Sequence, residues 1–355
     1  MKAGILVKGK RSMANIVFAG GGSSGHALPS LRVANFMRDL GHTVTFIGSH
    51  ASIEEKLCTH YDIPFHAVAT GKFNRTRKMS AISAAGKTLL GVRETRKLMR
   101  KLRPDGVFSS GGFASVPVIL AARMCGVTNI IIHACDLSIG LANRVCLPFA
   151  THLTCTFTET VNQYKKAVAS GPIMPPELNG PIDPPKNEKP LLLVYGGGQG
   201  AVAINEKLRA DLPTILPNFN VFHVCGQGKT DSKFDGTAGY EQHEYVMNLT
   251  NQIKQADVAI CRAGSNSLWE LILTGTPHLA IPLPLSVSRG DQIENCKYFD
   301  RLGVTQWLQQ DVFIASDLNA ELIGILEHTA DIRRCMDKIK PACPATETIK
   351  NILLT

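Results

Sequence analysis

Three short glycine-bearing stretches of this chain stand where an apolar run gives way to polar residues, and two of them add hydroxyls and a titratable group. The first is Gly20-Gly21-Gly22-Ser23-Ser24-Gly25-His26. Glycines let the main chain approach a ligand, and the N-terminus of a following helix favours phosphate. His26, one residue past the loop, reads either as a general acid or base or as a filler of the helix, and the first reading is favoured. The second stretch, Gly196-Gly197-Gly198-Gln199-Gly200, repeats the phosphate-cradling pattern; the plainer alternative is a tight strand–helix turn. The third runs from Cys261 through Arg262, Gly264 and Ser265 to Glu270. Glu270 could accept both hydroxyls of a ribose from one turn inside a helix, or could close a capping box with Ser267. Downstream, Ser288–Asn295 packs polar groups, Gln292 and Asn295 among them, at the entry to another helix.

Gly20, Gly22 and Gly25 formally satisfy G-x-G-x-x-G. A dinucleotide enzyme would place an acid at the end of the second strand, where this chain has Gly48-Ser49. Two glycine loops imply two phosphorylated ligands, or one held between domains. No Asp-x-Asp pair occurs, so no metal is expected; main-chain amides and helix dipoles would have to stabilise a leaving diphosphate.

The elements that must carry these loops alternate between short apolar runs and helical patterns, the signature of βαβ units. Strands are expected at Asn15–Ala19, Thr43–Ile47, Gly106–Ser109 and Asn129–Ile132. The series restarts at Leu191–Tyr195 and continues at Val221–Val224, Val258–Cys261 and Leu279–Leu283. Between the halves, Gly171–Pro190 holds seven prolines in twenty residues and reads as a linker. The expected fold class is α/β, with two doubly wound domains facing one another across a cleft. A length of 355 residues favours two domains, and 44% apolar with 19% charged residues excludes disorder.

The net charge of +9 is concentrated. Lys72 to Arg103 carries eleven basic residues against Glu94 alone, interleaved with Met79, Ile82, Leu89, Leu90 and Val92. Such a segment suits an anionic membrane surface; a solvated helix face is the plainer alternative. No aromatic platform accompanies the charge, so nucleic acid is not expected. The basic Met1–Met13 segment has an apolar part, Ala3–Val7, too short for a signal peptide, and reads as a leader ahead of Met13. No apolar run is long enough to span a bilayer. Ten scattered cysteines without a C-x-x-C pair read as small buried hydrophobes in a cytosolic chain.

In order and spacing these motifs resemble the MurG family of peptidoglycan N-acetylglucosaminyltransferases. The similarity covers the first loop through Pro29, Gly71–Phe73, Ser110–Pro117, Gly140–Asn143, Gly196–Ala201, Arg262–Glu270 and Ser288–Asn295. It implies a GT-B architecture: an acceptor domain over 1–170, the linker 171–190, a UDP-sugar domain over 191–340, and a closing helix within 341–355 that returns toward the first domain. The reaction it implies is inverting, metal- and cofactor-independent transfer of N-acetylglucosamine from UDP-N-acetylglucosamine to lipid I, yielding lipid II at the cytoplasmic face of the membrane. By the same resemblance, Gly21, Gly22, Ser23, Ser24, Gly25, Phe113 and Asn143 hold the acceptor, and His26 or Asp136 is the base. Gly197, Gly198, Gln199, Gly200, Val246, Arg262, Gly264, Ser265, Glu270, Gln292 and Asn295 hold the donor.

Several positions depart from the family pattern. Its His-Glu motif is His133-Ala134 here, its linker arginine is missing from Gly171-Pro172-Ile173-Met174, and Gly198 and Ala263 replace serines. Two alternatives follow: a related GT-B enzyme with another polyprenyl or glycolipid acceptor, or a catalytically silent glycosyltransferase-like binding subunit.

Overall fold

The computed structural model describes residues 13–71, 78–179 and 188–355. The leader ahead of Met13 lies outside them, as do Lys72, Arg75 and Arg77 of the basic segment and 180–187 of the linker. Apolar runs buried on both faces make parallel strands. β1 (Asn15–Ala19), β2 (Thr43–Ser49), β3 (Phe65–Val68), β4 (Gly106–Ser109), β5 (Asn129–Ala134), β6 (His152–Cys155) and β7 (Ala167–Ala169) form one sheet in the order β3-β2-β1-β4-β5-β6-β7. Every pair is parallel; Ile16, for example, lies opposite Val44 on one side and Gly106 on the other. Helices α1 (Ser24–Asp39), α2 (Ile53–His60), α3 (Lys78–Leu102), α4 (Ser115–Met124), α5 (Leu141–Cys146) and α6 (Thr158–Val161) belong to this half. The face of α1 that the spacing identifies, Leu31, Ala34 and Met37, is fully buried. A buried Leu or Met contributes about 1.5–3 kcal/mol.

The second sheet comprises β8 (Leu191–Tyr195), β9 (Asn220–Val224), β10 (Tyr240–His243), β11 (Val258–Cys261), β12 (His278–Ala280) and β13 (Gln306–Trp307), in the order β10-β9-β8-β11-β12-β13. Its helices are α7 (Val202–Ile215), α8 (Thr250–Gln255), α9 (Ser265–Thr274), α10 (Asp291–Arg301), α11 (Gln310–Ala315), α12 (Leu318–Glu327), α13 (Thr329–Ile339) and α14 (Ala345–Leu353). The expected doubly wound pair is therefore what folds. In each sheet the strand order reverses beside the first strand, and loops diverge there to leave a crevice. The glycine loops follow β1 and β8, one at each switch point.

Among the described residues, packing crosses between the halves in both directions. Phe157, just after β6, sits in the core of the second domain with its ring 5.7 Å from Phe299 and 6.2 Å from Trp269. Conversely α14 buries Ala345, Ile349 and Leu353 in the first domain's core, and Asn129 Nδ2 donates to the carbonyls of Ile352 and Leu353.

The strand expected at Leu279–Leu283 is shorter and shifted, His278–Ala280. Pro282 and Pro284 have no N–H to give a ladder, which ends the strand early. Five short strands, β3, β6, β7, β10 and β13, were not foreseen. Part of the linker, Pro176–Asn179, forms a 3-10 turn.

Candidate active site

The first glycine loop leaves β1 and presses against the loop after β4: Gly21 N–H donates to Gly111 O at 3.3 Å. Gly112 has φ +83°, and a Cβ there would overlap the Gly21 carbonyl, so only glycine allows this approach. Ser30 Oγ donates to Ala19 O at 2.6 Å, and Ser110 Oγ donates to His26 O, tying the start of α1 to β1 and β4. Phe113 lies beside Gly22, about 4.0 Å from where a Cβ on that glycine would stand. Beneath the loop is a carboxylate the sequence reading missed. Glu54 is fully buried in α2 and accepts from Gly22 N–H at 3.3 Å and Ser49 N–H at 3.1 Å. One loop amide expected to face an anion is thus engaged from behind.

The second loop is built the same way. Gly200, at φ +70°, packs so closely on Cys225 O that no Cβ fits. Gly197, Gly198 and Gln199 are exposed, and Gln199 O accepts from Lys229 Nζ at 2.6 Å. The two loops face each other: Ser24 Oγ lies 3.0 Å from the point where Gly198 would carry a Cβ. A serine at 198, which the resemblance leads one to expect, would crowd Ser24 in this closed arrangement.

Direct bonds then close the seam. Pro29 lies inside α1 and has no N–H for the carbonyl of Gly25, four residues earlier; Asn266 Nδ2 of α9 donates to that carbonyl at 3.0 Å. Ser265 Oγ, at the first position of α9, donates to Cys135 O at 2.6 Å. Arg32 of α1 reaches Glu270 Oε1 of α9 at 2.6 Å and Ile173 O of the linker at 2.9 Å. Glu270 therefore makes no capping box, since α9 starts at Ser265 with Gly264 as its cap and Ser267 lies inside the helix.

His26 and Asp136 are within electrostatic reach of each other near this seam. His26 is half-buried, and its Nδ1 has no hydrogen-bond partner among the described residues. Burial pushes the Asp136 carboxyl above the ordinary carboxylate range. His26 opposes that rise, Asp291 adds to it, and Asn295 and Arg289 oppose it. Two acceptor-side groups and three donor-side groups thus share one electrostatic neighbourhood. Arg289 and Asp291 are 3.9 Å apart and stand in the polar segment noted downstream of β12.

The other residues expected at the site have partners within the protein. Arg262 is buried, and its guanidinium turns inward to the carbonyls of Ile281 and Pro282 and to Gln310 Oε1, so it braces the loops after β11 and β12. Asn143 is buried and spends Nδ2 on His133 O at 2.8 Å, supporting the Gly111 turn from behind. Ser265 spends its hydroxyl on Cys135, as above. Asn295 is fully buried with Nδ2 on Ala263 O at 3.1 Å, and Gln292 Oε1 accepts from Leu283 N–H at 2.9 Å. Val246 is half-buried against the donor-domain core, between the exposed Tyr245 and Met247. His133 is buried between Thr154 Oγ1 and Thr156 Oγ1, and burial lowers its pKa to about 3, so it is a neutral structural ring.

A cavity of about 580 Å³ opens beside the seam between Leu137–Ile139 and α10, but none of the expected site residues lines it. Among the described residues no cluster of His, Cys, Asp and Glu could hold a metal ion.

Comparison with known proteins identifies the family. The glycosyltransferase family 28 N-terminal domain matches residues 16–154, and the family 28 C-terminal domain matches residues 191–350. The UDP-N-acetylglucosamine–N-acetylmuramyl-(pentapeptide) pyrophosphoryl-undecaprenol N-acetylglucosamine transferase of Geobacillus kaustophilus is 37% identical over 93% of this chain and 95% of its own. The Legionella pneumophila protein of the same name is 37% identical over 92% of this chain and 90% of its own. Among solved structures, Acinetobacter baumannii MurG shares the fold with a TM-score of 0.74 at 23% identity, covering 96% of this chain and all of that one. A calicheamicin glycosyltransferase shares it at 0.69 and 14%, covering 96% and 98%. With both domains matched in order and relatives of this identity spanning nearly the whole chain, the protein belongs to glycosyltransferase family 28, among its MurG members.

Proposed function

We propose that the protein transfers N-acetylglucosamine from UDP-N-acetylglucosamine to the C4 hydroxyl of the muramyl sugar in lipid I, forming lipid II with inversion at C1. The observation that carries this reading is the apposition of the two glycine loops across one seam, with His26 just past the first loop and Asp136 within its electrostatic reach. The first loop, Gly21–Gly25, receives the acceptor diphosphate at the start of α1. The second loop and the N-terminus of α9 receive the donor diphosphate, and Glu270 receives its ribose. As the acceptor oxygen forms its bond to C1, its proton passes to His26 or Asp136. The C1–O bond to UDP breaks on the opposite face, and the helix N-termini stabilise the charge on the leaving diphosphate.

The same reading places the protein on a membrane surface at its cytoplasmic side. Exposed Leu89 and Leu90 on α3 accompany exposed Lys87, Arg93, Lys97, Arg100 and Lys101. Apolar side chains inserted among lipid tails and cations beside anionic headgroups reinforce each other. Among the described residues, no helix is long and apolar enough to cross a bilayer.

The test is turnover of radiolabelled UDP-N-acetylglucosamine with lipid I beside other polyprenyl and glycolipid acceptors. Labelled lipid II supports the proposal. Label on another acceptor alone would favour the related GT-B enzyme with a different polyprenyl or glycolipid acceptor. UDP binding without any transfer would make the chain a silent binding subunit.

A further inference from the structure

The Arg32–Glu270 ion pair joins the acceptor domain to the carboxylate read as the ribose ligand. Arg32 stands two turns into α1, and its side chain and that of Glu270 are only 14% and 17% exposed. One guanidinium nitrogen, Nη2, donates to Glu270 Oε1 at 2.6 Å. The other, Nη1, donates to Ile173 O at 2.9 Å and lies 3.9 Å from Met174 Sδ. The fork thus spans α1, the linker and α9 at once. It does so beside the linker segment where the family pattern has an arginine and this chain has none. Arg262, the other guanidinium expected at the donor, is turned into the protein.

We propose that Arg32 is a positioning residue of the donor site, supplied across the seam by the acceptor domain, and that the site for a nucleoside diphosphate is complete only when the two domains are closed. This rests on the reading of Glu270 as the ribose ligand. A carboxylate offers two oxygens and about four lone-pair directions. Held at Oε1 by one Arg32 nitrogen, Glu270 keeps capacity for both hydroxyls of a vicinal diol. Its three side-chain torsions are settled before the nucleotide arrives. The guanidinium also balances the carboxylate charge beside a dianionic diphosphate. Coupling of this kind is reciprocal: if closure strengthens nucleotide binding, nucleotide strengthens closure by the same factor.

The experiment compares wild type, Arg32→Gln, Arg32→Lys, Glu270→Gln and the Arg32→Gln/Glu270→Gln pair. UDP binding is followed by calorimetry, with thermal melts lacking ligand and steady-state kinetics alongside. Arg32→Gln is expected to raise the UDP Kd and the KM for UDP-N-acetylglucosamine about tenfold, with kcat and the acceptor KM within about twofold. Arg32→Lys should recover part of this, because one ammonium keeps the charge but not the two-pronged reach, and it serves if the Gln variant fails to fold. In the Glu270→Gln background, Arg32→Gln should add less than about twofold. Tighter UDP binding by Arg32→Gln would mean that Arg32 competes with the ribose, and would overturn the proposal. So would an unchanged Kd, or a full tenfold effect without Glu270. If wild type binds no UDP, the donor reading itself fails and takes this inference with it. If Glu270→Gln weakens UDP while Arg32→Gln does not, only the inference fails.

Discussion

Asn266 of the donor domain donates to the carbonyl of Gly25 in the acceptor domain, and that carbonyl lacks an intrahelical partner because Pro29 stands four residues on. A proline inside α1 thus leaves an acceptor that a second domain can satisfy. Ser265 beside it donates to Cys135 O, so consecutive residues of α9 hold two separate acceptor-domain segments. Both of these bonds join a donor-domain side chain to acceptor-domain main chain.

Ser265→Ala removes a buried bond and strands the Cys135 carbonyl. The closed arrangement should lose about 1–2 kcal/mol, the usual cost of an unmade buried hydrogen bond. Small-angle scattering should show a larger radius of gyration without ligand, and saturating UDP should reverse it. An unchanged radius in both Ser265→Ala and Asn266→Ala would mean that these bonds do not hold the domains together.

His26→Ala should lower kcat by about 10²–10⁴, the range for loss of a general base, with UDP affinity unchanged. Near-full turnover in His26→Ala, with loss in Asp136→Asn, would move the role to Asp136. Stability separates the two residues further. Burial raises the Asp136 pKa, so the folded state holds its proton more tightly than the unfolded state. Its contribution to stability is full below the unfolded value and is lost as pH rises through the raised folded value. Asp136→Asn should therefore stabilise at neutral pH, and the gain should shrink as pH falls. Urea midpoints measured across that range check the sign.

Three buried histidines predict the opposite slope. Burial lowers His133 and His223 to about 3 and His278 to about 4, from 6.5. Each stays neutral in the folded state while its unfolded counterpart takes up a proton. Their stability is fully present above pH 6.5 and is lost as pH falls toward 3–4, at about 1.4 kcal/mol per pH unit for each ring. His278→Gln should flatten the fall in urea midpoint between pH 6 and pH 4.5. An equally steep fall in that variant would assign the acid sensitivity to other groups.

Binding to anionic vesicles should weaken steeply with salt, because exposed charges are screened beyond about 8 Å at physiological ionic strength. Leu89→Gln with Leu90→Gln, both exposed on α3, should weaken vesicle binding further without changing turnover of a water-soluble acceptor analogue. Equal flotation with neutral and anionic vesicles at low salt would rule out an electrostatic attachment.

The parallel sheets and their glycine loops were legible in the sequence because those signals are local. A buried strand such as Ile130–Ile132, a glycine turn and a helix stripe such as Leu31, Ala34 and Met37 each declare themselves within a few residues. The same local signals offered His26 and Glu270 as candidates. Short edge strands such as Gln306–Trp307 escaped because two residues carry no periodicity, and only the neighbouring Leu279 and Ala280 make them a strand. The tertiary structure alone decided what the polar groups do. Arg262, which the resemblance assigns to the donor, turns to carbonyls brought near by β12, while Glu54 lies beneath the first loop. Arg32 of α1 meets a carboxylate 238 residues away. Burial and pairing of charged groups depend on which elements fold against each other, and residue type and spacing along the chain do not carry that information.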